Sequence, residues 1–99
     1  MIKIVARCVV REDCITQYQE LAKELVAKSQ AEEGNVQYSL NQSISDPRVH
    51  VILECWRDQA AVDAHADMTG DAFIPPETSL ELFVIRTIGS LSKTGRRAR

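Results

Sequence analysis

The 99-residue chain lacks the features that several large protein classes require. No apolar run approaches the roughly 20 residues of a membrane-spanning helix, so we expect no membrane partner. The net charge of -2 argues against an electrostatic nucleic-acid binder. Neither a glycine-rich phosphate loop nor the residue pattern of a hydrolytic triad occurs. What remains is an ordinary small globular domain with room for a single core.

Cysteine and histidine are also scarce. The three cysteines, an odd number without CxxC spacing, favour a reducing cytoplasm over a disulfide framework or a zinc site. The two histidines, His50 and His65, lie fifteen residues apart with no cysteine or carboxylate at ligand spacing. We therefore expect no metal, and the absence of a dinucleotide fingerprint predicts no other cofactor.

Hydrophobic periodicity predicts the first two elements. Residues 2–10 are rich in Ile and Val and predict a strand that is apolar on both faces. A helix follows, which we expect Asp13 to cap and which runs to about Glu33, with Gly34 ending it in the left-handed conformation. Its apolar positions recur at helical spacing: Ile15, Tyr18, Leu21, Ala22, Leu25 and Val26.

A β-hairpin and a second helix come next. Residues 35–43 and 49–56 both alternate with period two, and the SDPR turn between them predicts an antiparallel pair. His50, Ile52, Glu54 and Trp56 are on one side of the second strand. The second helix begins at Asp58 and ends near Gly70.

The run LELFVIRTI, residues 80–88, alternates weakly and predicts a final strand, although a helix over residues 76–88 also fits its apolar spacing. The resulting order predicts a ferredoxin-like α+β domain, in which a four-stranded antiparallel sheet carries both helices on one face. We assign this domain to residues 1–90. Residues 91–99 are basic and predict a flexible tail.

The second face of such a sheet has no helix to cover it. The first and last strands carry Ile, Val, Leu and Phe on both faces, so this face would expose a sizeable apolar patch to water. A second copy of the chain is the simplest cover. We therefore predict a homodimer.

The strings EEGNVQYSL and VILECWRDQAAVDAH resemble the antibiotic biosynthesis monooxygenase family of dimeric α+β barrel proteins. The family pattern is a Gly that ends the first helix, an aromatic residue in the next strand, a strand ending in Glu-x-aromatic, and a His on the following helix. The matching positions here are Gly34, Tyr38, Glu54, Trp56 and His65. The match extends from residue 1 to about residue 73 and includes Phe73.

The resemblance implies a dimeric barrel with one small-molecule site per subunit. Members of the family include quinol and polyketide monooxygenases that use no metal or flavin, relatives that degrade haem, and relatives that isomerise a phosphorylated autoinducer sugar. The resemblance thus favours a cofactor-independent monooxygenase acting on an aromatic or quinol substrate with O₂. An isomerase of a small phosphorylated sugar and a non-catalytic dimeric binding module remain alternatives.

His65 is the main candidate for catalysis. It lies on the apolar stripe of the second helix, where an imidazole near the sheet can accept a proton from a phenol or hydroquinone. The alternative is a core histidine bonded to a carbonyl. Glu54, inside an otherwise apolar strand, is the second catalytic candidate, because it can orient His65. It can equally form a structural ion pair with Arg7 or Arg86.

Four further residues are candidates for substrate binding. Trp56 offers a flat apolar wall and an N–H donor, although it can also be a packing aromatic. Tyr38 shares a face with Val36 and Leu40, which favours a core role over ligand contact. Asn41 is on the polar face of its strand, where it can meet a ligand or a second subunit. Phe73 is included through the family match alone.

Overall fold

The computed structural model describes residues 1–69 and 79–85 of the chain. Phe73 and the predicted tail over residues 91–99 therefore lie outside the described residues. The elements are, in order, β1 (Ile2–Val9), a 3-10 turn (Glu12–Cys14), α1 (Ile15–Gln30), β2 (Asn35–Gln42), β3 (Val49–Trp56), α2 (Gln59–Thr69) and β4 (Ser79–Ile85).

The four strands form one antiparallel sheet in the order β2-β3-β1-β4. This arrangement confirms the predicted α+β fold. The strand assigned to residues 80–88 is confirmed as far as Ile85, and the alternative helix is wrong over Ser79–Ile85. Of the helices in the described part of the chain, neither is long and apolar enough to cross a bilayer.

Both helices pack on the same face of the sheet, since residues of α1 and α2 share core clusters with residues of β1, β2 and β3. The main core cluster comprises Ala6, Tyr38, Ile52, Trp56 and Ala61, with Leu25 and Val26 packed against it. A second cluster at the other end of the sheet comprises Cys8, Val10, Tyr18 and Ala22. The candidate site lies at the end occupied by Trp56 and Ala61.

The start of α1 differs from the prediction. Asp13 does not cap the helix but lies in the 3-10 turn, where its carboxylate accepts a hydrogen bond from the Arg11 side chain at 2.6 Å. The helix begins at Ile15 without a side-chain cap. The Asp13 cap was wrong because a nearby guanidinium competes for the carboxylate, and residue-type preference does not include that competitor.

The end of α1 is also earlier than predicted. The helix ends at Gln30, and the next turn tightens, since the N–H of Ala31 and of Glu32 donate to the carbonyls three residues back, those of Lys28 and Ser29. Gly34 then adopts a φ of 86°, which confirms the predicted left-handed position. This compact turn reverses the chain into β2.

The β2–β3 hairpin holds its register through its turn and contains one irregularity. In the turn, the Ser43 N–H donates to the Val49 carbonyl at 2.9 Å, and the Asp46 carboxylate accepts from the Arg48 N–H at 3.0 Å. The register shifts between Asn35 and Gln37, so Val36 is the extra residue of a β-bulge. As a result Val36 is 54% exposed and does not share the buried face with Tyr38 as the alternation predicted.

The turn at Gly34 predicts a measurable cost for any side chain there. A Cβ at Gly34 would lie 2.7 Å from the Cβ of Ala61, and the positive φ adds backbone strain. We expect Gly34→Ala to lower the free energy of unfolding by about 1–3 kcal/mol in urea titrations. Glu33→Ala, at a neighbouring exposed position, should change it little. An unchanged stability for Gly34→Ala would contradict this account of the turn.

Candidate functional site

The end of β3 supplies the first two residues of the site. Period-two alternation turns Glu54 and Trp56 toward the helix-covered face, where Trp56 is fully buried and Glu54 is 8% exposed. The indole N–H of Trp56 donates to a Glu54 carboxylate oxygen at 2.9 Å. A carboxylate is thereby held inside the fold by a neighbour two residues along the same strand.

The second helix supplies His65. Asp58 accepts a hydrogen bond from the Ala61 N–H at 2.9 Å and so caps α2, and His65 follows one turn after Ala61. Its imidazole ring lies against Trp56, with 4.6 Å between ring centroids and an interplanar angle of 34°. Tyr38 meets the same imidazole edge to face at 5.4 Å. With 9% exposure, His65 points inward as its stripe predicted.

The third ionisable member of the site is Glu32, which the sequence analysis missed. It lies in the tight turn between α1 and Gly34, and its side chain is only 14% exposed. Both of its carboxylate oxygens face the Nδ1 of His65, at 3.0 Å and 3.3 Å. Glu33 next to it is 91% exposed at its side chain. The buried stripe of α1 is the signal that could have found it, because Tyr18, Ala22, Leu25 and Ser29 continue at helical spacing to Glu32 and not to Glu33.

Close packing of Gly34 on α2 brings Glu32 to His65. The Gly34 carbonyl accepts the Arg57 N–H at 2.8 Å, and the Gly34 backbone approaches Ala61 closely. A tertiary contact therefore joins two residues that are 33 positions apart in sequence. The pairing of Glu32 with His65 itself is visible in three dimensions alone.

The imidazole thus lies between two carboxylates. The Nε2 of His65 is 4.0 Å from an oxygen of Glu54, while Nδ1 is within hydrogen-bond distance of Glu32. Burial raises the pKa of the Glu54 carboxyl, although the Trp56 hydrogen bond and the charge of His65 act in the opposite direction. Burial also raises the pKa of the Tyr38 hydroxyl, and the charge of Glu54 adds to that effect.

This arrangement defines which imidazole nitrogen can act as a base. A carboxylate accepts hydrogen bonds and does not donate them, so Glu32 favours the tautomer with the proton on Nδ1. In the neutral ring, Nε2 then carries the lone pair. That lone pair is on the side of the ring where Glu54 lies, and the indole N–H of Trp56 donates to the same Glu54 carboxylate.

One candidate from the sequence, Asn41, does not join this cluster in the structure. Asn41 is exposed and pairs with Val51 on the opposite face of the sheet, where its amide donates to the Val51 carbonyl at 3.2 Å. Phe73 lies outside the described residues. Arg7 of β1 also pairs with Val51 and therefore lies on the face of the sheet opposite Glu54. This position excludes Arg7 as the ion-pair partner of the Glu54 carboxylate.

The other histidine is a core residue at the far end of the sheet. His50 is fully buried, and its ring nitrogens lie 3.2 Å from the Arg48 carbonyl and 3.1 Å from the Gln19 side-chain amide. The ring of Tyr18 meets it edge to face at 4.9 Å. Across the part of the chain that the structure describes, no group of three or more His, Cys, Asp or Glu side chains is arranged to hold a metal ion.

Comparison with known proteins gives matches over most of the chain. A family model described as "Antibiotic biosynthesis monooxygenase" matches residues 1–70. The "Putative monooxygenase YcnE" of Bacillus subtilis (strain 168) is 37% identical over 65 residues, which is 66% of this chain and 68% of that protein. The resemblance seen in the sequence is therefore confirmed.

Solved structures share the fold. A crystal structure of an antibiotic biosynthesis monooxygenase is 24% identical with a TM-score of 0.81, covering 90% of this chain and 100% of that one. A mutant of SnoaB, a cofactor-independent oxygenase from Streptomyces nogalater, is 17% identical with a TM-score of 0.76, covering 91% and 95%. At these identities the two structures show the common architecture only.

The raised pKa of Glu54 predicts a pH-dependent stability. The ordinary pKa of a Glu carboxyl is 4.5. As pH rises, the Glu54 carboxyl therefore ionises at a lower pH in the unfolded chain than in the folded chain. Glu54 therefore costs the fold stability as pH rises from 4.5 through the raised pKa. We expect Glu54→Gln, which keeps an acceptor for Trp56, to gain free energy of unfolding relative to wild type across this window. Each pKa unit of elevation corresponds to about 1.4 kcal/mol.

Urea unfolding of both proteins between about pH 4 and pH 7 measures the difference. Glu33→Gln is the matched control, because its side chain is 91% exposed and should show no such trend. A difference between Glu54→Gln and wild type that stays constant or shrinks with rising pH would contradict the assignment.

Proposed function

The chain belongs to the antibiotic biosynthesis monooxygenase family, and we propose that it is a cofactor-independent monooxygenase that oxidises an aromatic or quinol substrate with O₂. The proposal rests above all on one observation, the buried His65 imidazole held between Glu32 and Glu54 beside the indole of Trp56. A relative named as a monooxygenase and a fold shared with a cofactor-independent oxygenase support it.

In the proposed reaction His65 acts as the base. Its Nε2 accepts the proton of a substrate hydroxyl, and the electron-rich oxyanion then reduces O₂ directly. For a hydroquinone, one oxygen atom enters the ring and the other leaves as water, so the products are a hydroxyquinone and water. The substrate supplies all four electrons that this balance requires, and no external reductant takes part.

Trp56 and Tyr38 suit a planar aromatic substrate in this proposal. Both rings already contact the imidazole, Trp56 with its plane tilted by 34° and Tyr38 in an edge-to-face arrangement. A flat ring added to this cluster would continue the same kind of packing. We propose that these two residues bind substrate, and that Glu54 supports His65 as the second catalytic residue.

The site favours this reaction over isomerisation of a phosphorylated sugar. A phosphate next to His65 would face the carboxylates of Glu32 and Glu54, and like charges at short range repel. Arg7, which could have supplied positive charge, lies on the opposite face of the sheet, and Arg86 lies outside the described residues. We further propose a cytoplasmic location, in keeping with three free cysteines.

We also propose that a second copy of the chain covers the open face of the sheet. There, Val5 lies in register between Leu53 and Phe83, and Ile85 continues the patch. Leu53, Phe83 and Ile85 are 37%, 48% and 44% exposed in the single subunit. Contiguous apolar surface of this kind is typical of an interface, and obligate ones bury on the order of 2,000 Å² or more.

Substitution of His65 tests the base. We expect His65→Gln to lose roughly 10²–10⁴-fold in O₂ consumption with a panel of hydroquinones, because the amide cannot accept the proton. Its stability should fall by only about 1 kcal/mol, since an amide can still bond to Glu32. His50→Gln is the control, because it removes the core histidine and should keep its rate per folded molecule. A folded His65→Gln protein with the wild-type rate would refute the assignment of His65 as the base.

A charge on the open face tests the dimer. We expect wild type to sediment as a dimer at low micromolar concentration and Leu53→Lys or Phe83→Lys to sediment as a monomer, because an unpaired charge would be buried in the interface. Val84→Lys is the control, since Val84 is 73% exposed and pairs with Ile4 on the other side of the sheet. A wild-type protein that stays monomeric would contradict the proposal.

A further inference from the structure

We infer that Glu32 is a positioning residue, which holds the His65 imidazole in the tautomer that makes Nε2 the proton acceptor. The inference rests on the proposed function, because it assigns to His65 the role of base. Glu32 does not touch the substrate in this account. It acts through His65 alone.

The first support is the geometry of the contact. The Nδ1 atom of His65 lies 3.0 Å and 3.3 Å from the two carboxylate oxygens of Glu32. A carboxylate that faces one ring nitrogen with both oxygens offers only acceptors, so the proton resides on that nitrogen. On the other side, the 4.0 Å separation of Nε2 from Glu54 is too long for a hydrogen bond. Glu32 is therefore hydrogen-bonded to the ring, and Glu54 is not.

The second support is the rigidity of the backbone that carries Glu32. Its N–H donates to the Ser29 carbonyl at 3.1 Å, and its own carbonyl accepts from the Asn35 N–H at 3.2 Å. Two residues further on, the turn is held against α2 at Gly34. Because this backbone is held and the Glu32 side chain is only 14% exposed, its carboxylate has few alternative positions, which is the condition for orienting a neighbouring group accurately.

The third support is that different neighbours fix the plane of the ring and its orientation within that plane. Trp56 and Tyr38 pack on the imidazole and define its plane. Packing alone does not distinguish two orientations of the ring that differ by a half-turn about its own axis. The half-turn exchanges nitrogen and carbon positions with little change in shape. The hydrogen bond to Glu32 distinguishes the two orientations, because only one of them places Nδ1 against the carboxylates. Orientation and tautomer are thus set by one contact.

A purely structural ion pair between Glu32 and His65 is the competing explanation, and nitrogen NMR separates the two. The chain contains two histidines, so the ¹⁵N signals of His65 are readily assigned against those of His50. We expect the neutral His65 ring of wild type to be protonated on Nδ1 and not on Nε2. A wild-type spectrum whose neutral ring carries the proton on Nε2 overturns the inference without any variant being needed.

Three variants complete the experiment. Glu32→Ala removes the acceptor, and we expect a mixed His65 tautomer and a kcat lower by roughly 10- to 100-fold, the range typical of losing the outer partner of a functional imidazole, with KM little changed. Glu32→Gln presents an N–H₂ donor as well as an oxygen acceptor, so it no longer imposes the tautomer and should show the same mixed signature and lowered kcat as Glu32→Ala. Glu33→Gln, whose side chain is exposed, should match wild type in both measurements.

The two readouts fail independently. If no hydroquinone is turned over by wild type, the proposed function fails, while the ¹⁵N spectra still decide whether Glu32 sets the tautomer. An unchanged His65 spectrum in Glu32→Ala overturns the positioning role. A changed spectrum with an unchanged kcat overturns its connection to turnover. A joint change in tautomer and kcat in Glu32→Ala and Glu32→Gln, absent from Glu33→Gln, supports the inference.

Discussion

The burial of one imidazole against two carboxylates is the constraint on which the rest of this structure depends. His65, Glu54 and the side chain of Glu32 are all at most 14% exposed. Each ionisable group that leaves water loses hydration and is tolerated only when other polar groups replace it. The three side chains come from α2, β3 and the turn after α1. Their mutual contacts therefore require these three elements to pack together at one point.

Two backbone features, the left-handed Gly34 and the β-bulge at Val36, allow these elements to pack together. The left-handed Gly34 lets the chain turn within a few residues of the end of α1, and the missing side chain leaves room for Ala61 of α2. The bulge at Val36 then shifts the register of β2 against β3 by one residue, so that Tyr38 pairs with Glu54. The Gly34 turn thus brings Glu32 near α2, and the bulge brings Tyr38 to the imidazole of His65.

Local pattern was enough to predict the architecture but not the full site. The alternation over Val49–Trp56 identified β3 and its buried face, and the α2 stripe turned His65 inward, because both depend on side-chain periodicity. The Asp13 cap was wrong because Arg11 takes its carboxylate. Glu32 was missed because no periodicity connects it to His65, and their contact exists only once α1, β2 and α2 have packed.

The central claim is that this cluster removes a proton from an aromatic hydroxyl. The most direct measurement is the absorbance of 4-nitrocatechol bound to the protein between about pH 5 and pH 9, because its colour reports ionisation and its electron-poor ring resists oxidation. The account predicts that the bound compound ionises at a lower pH on wild type than on His65→Gln. Ionisation at the same pH on both proteins, or at a higher pH on wild type, would contradict it.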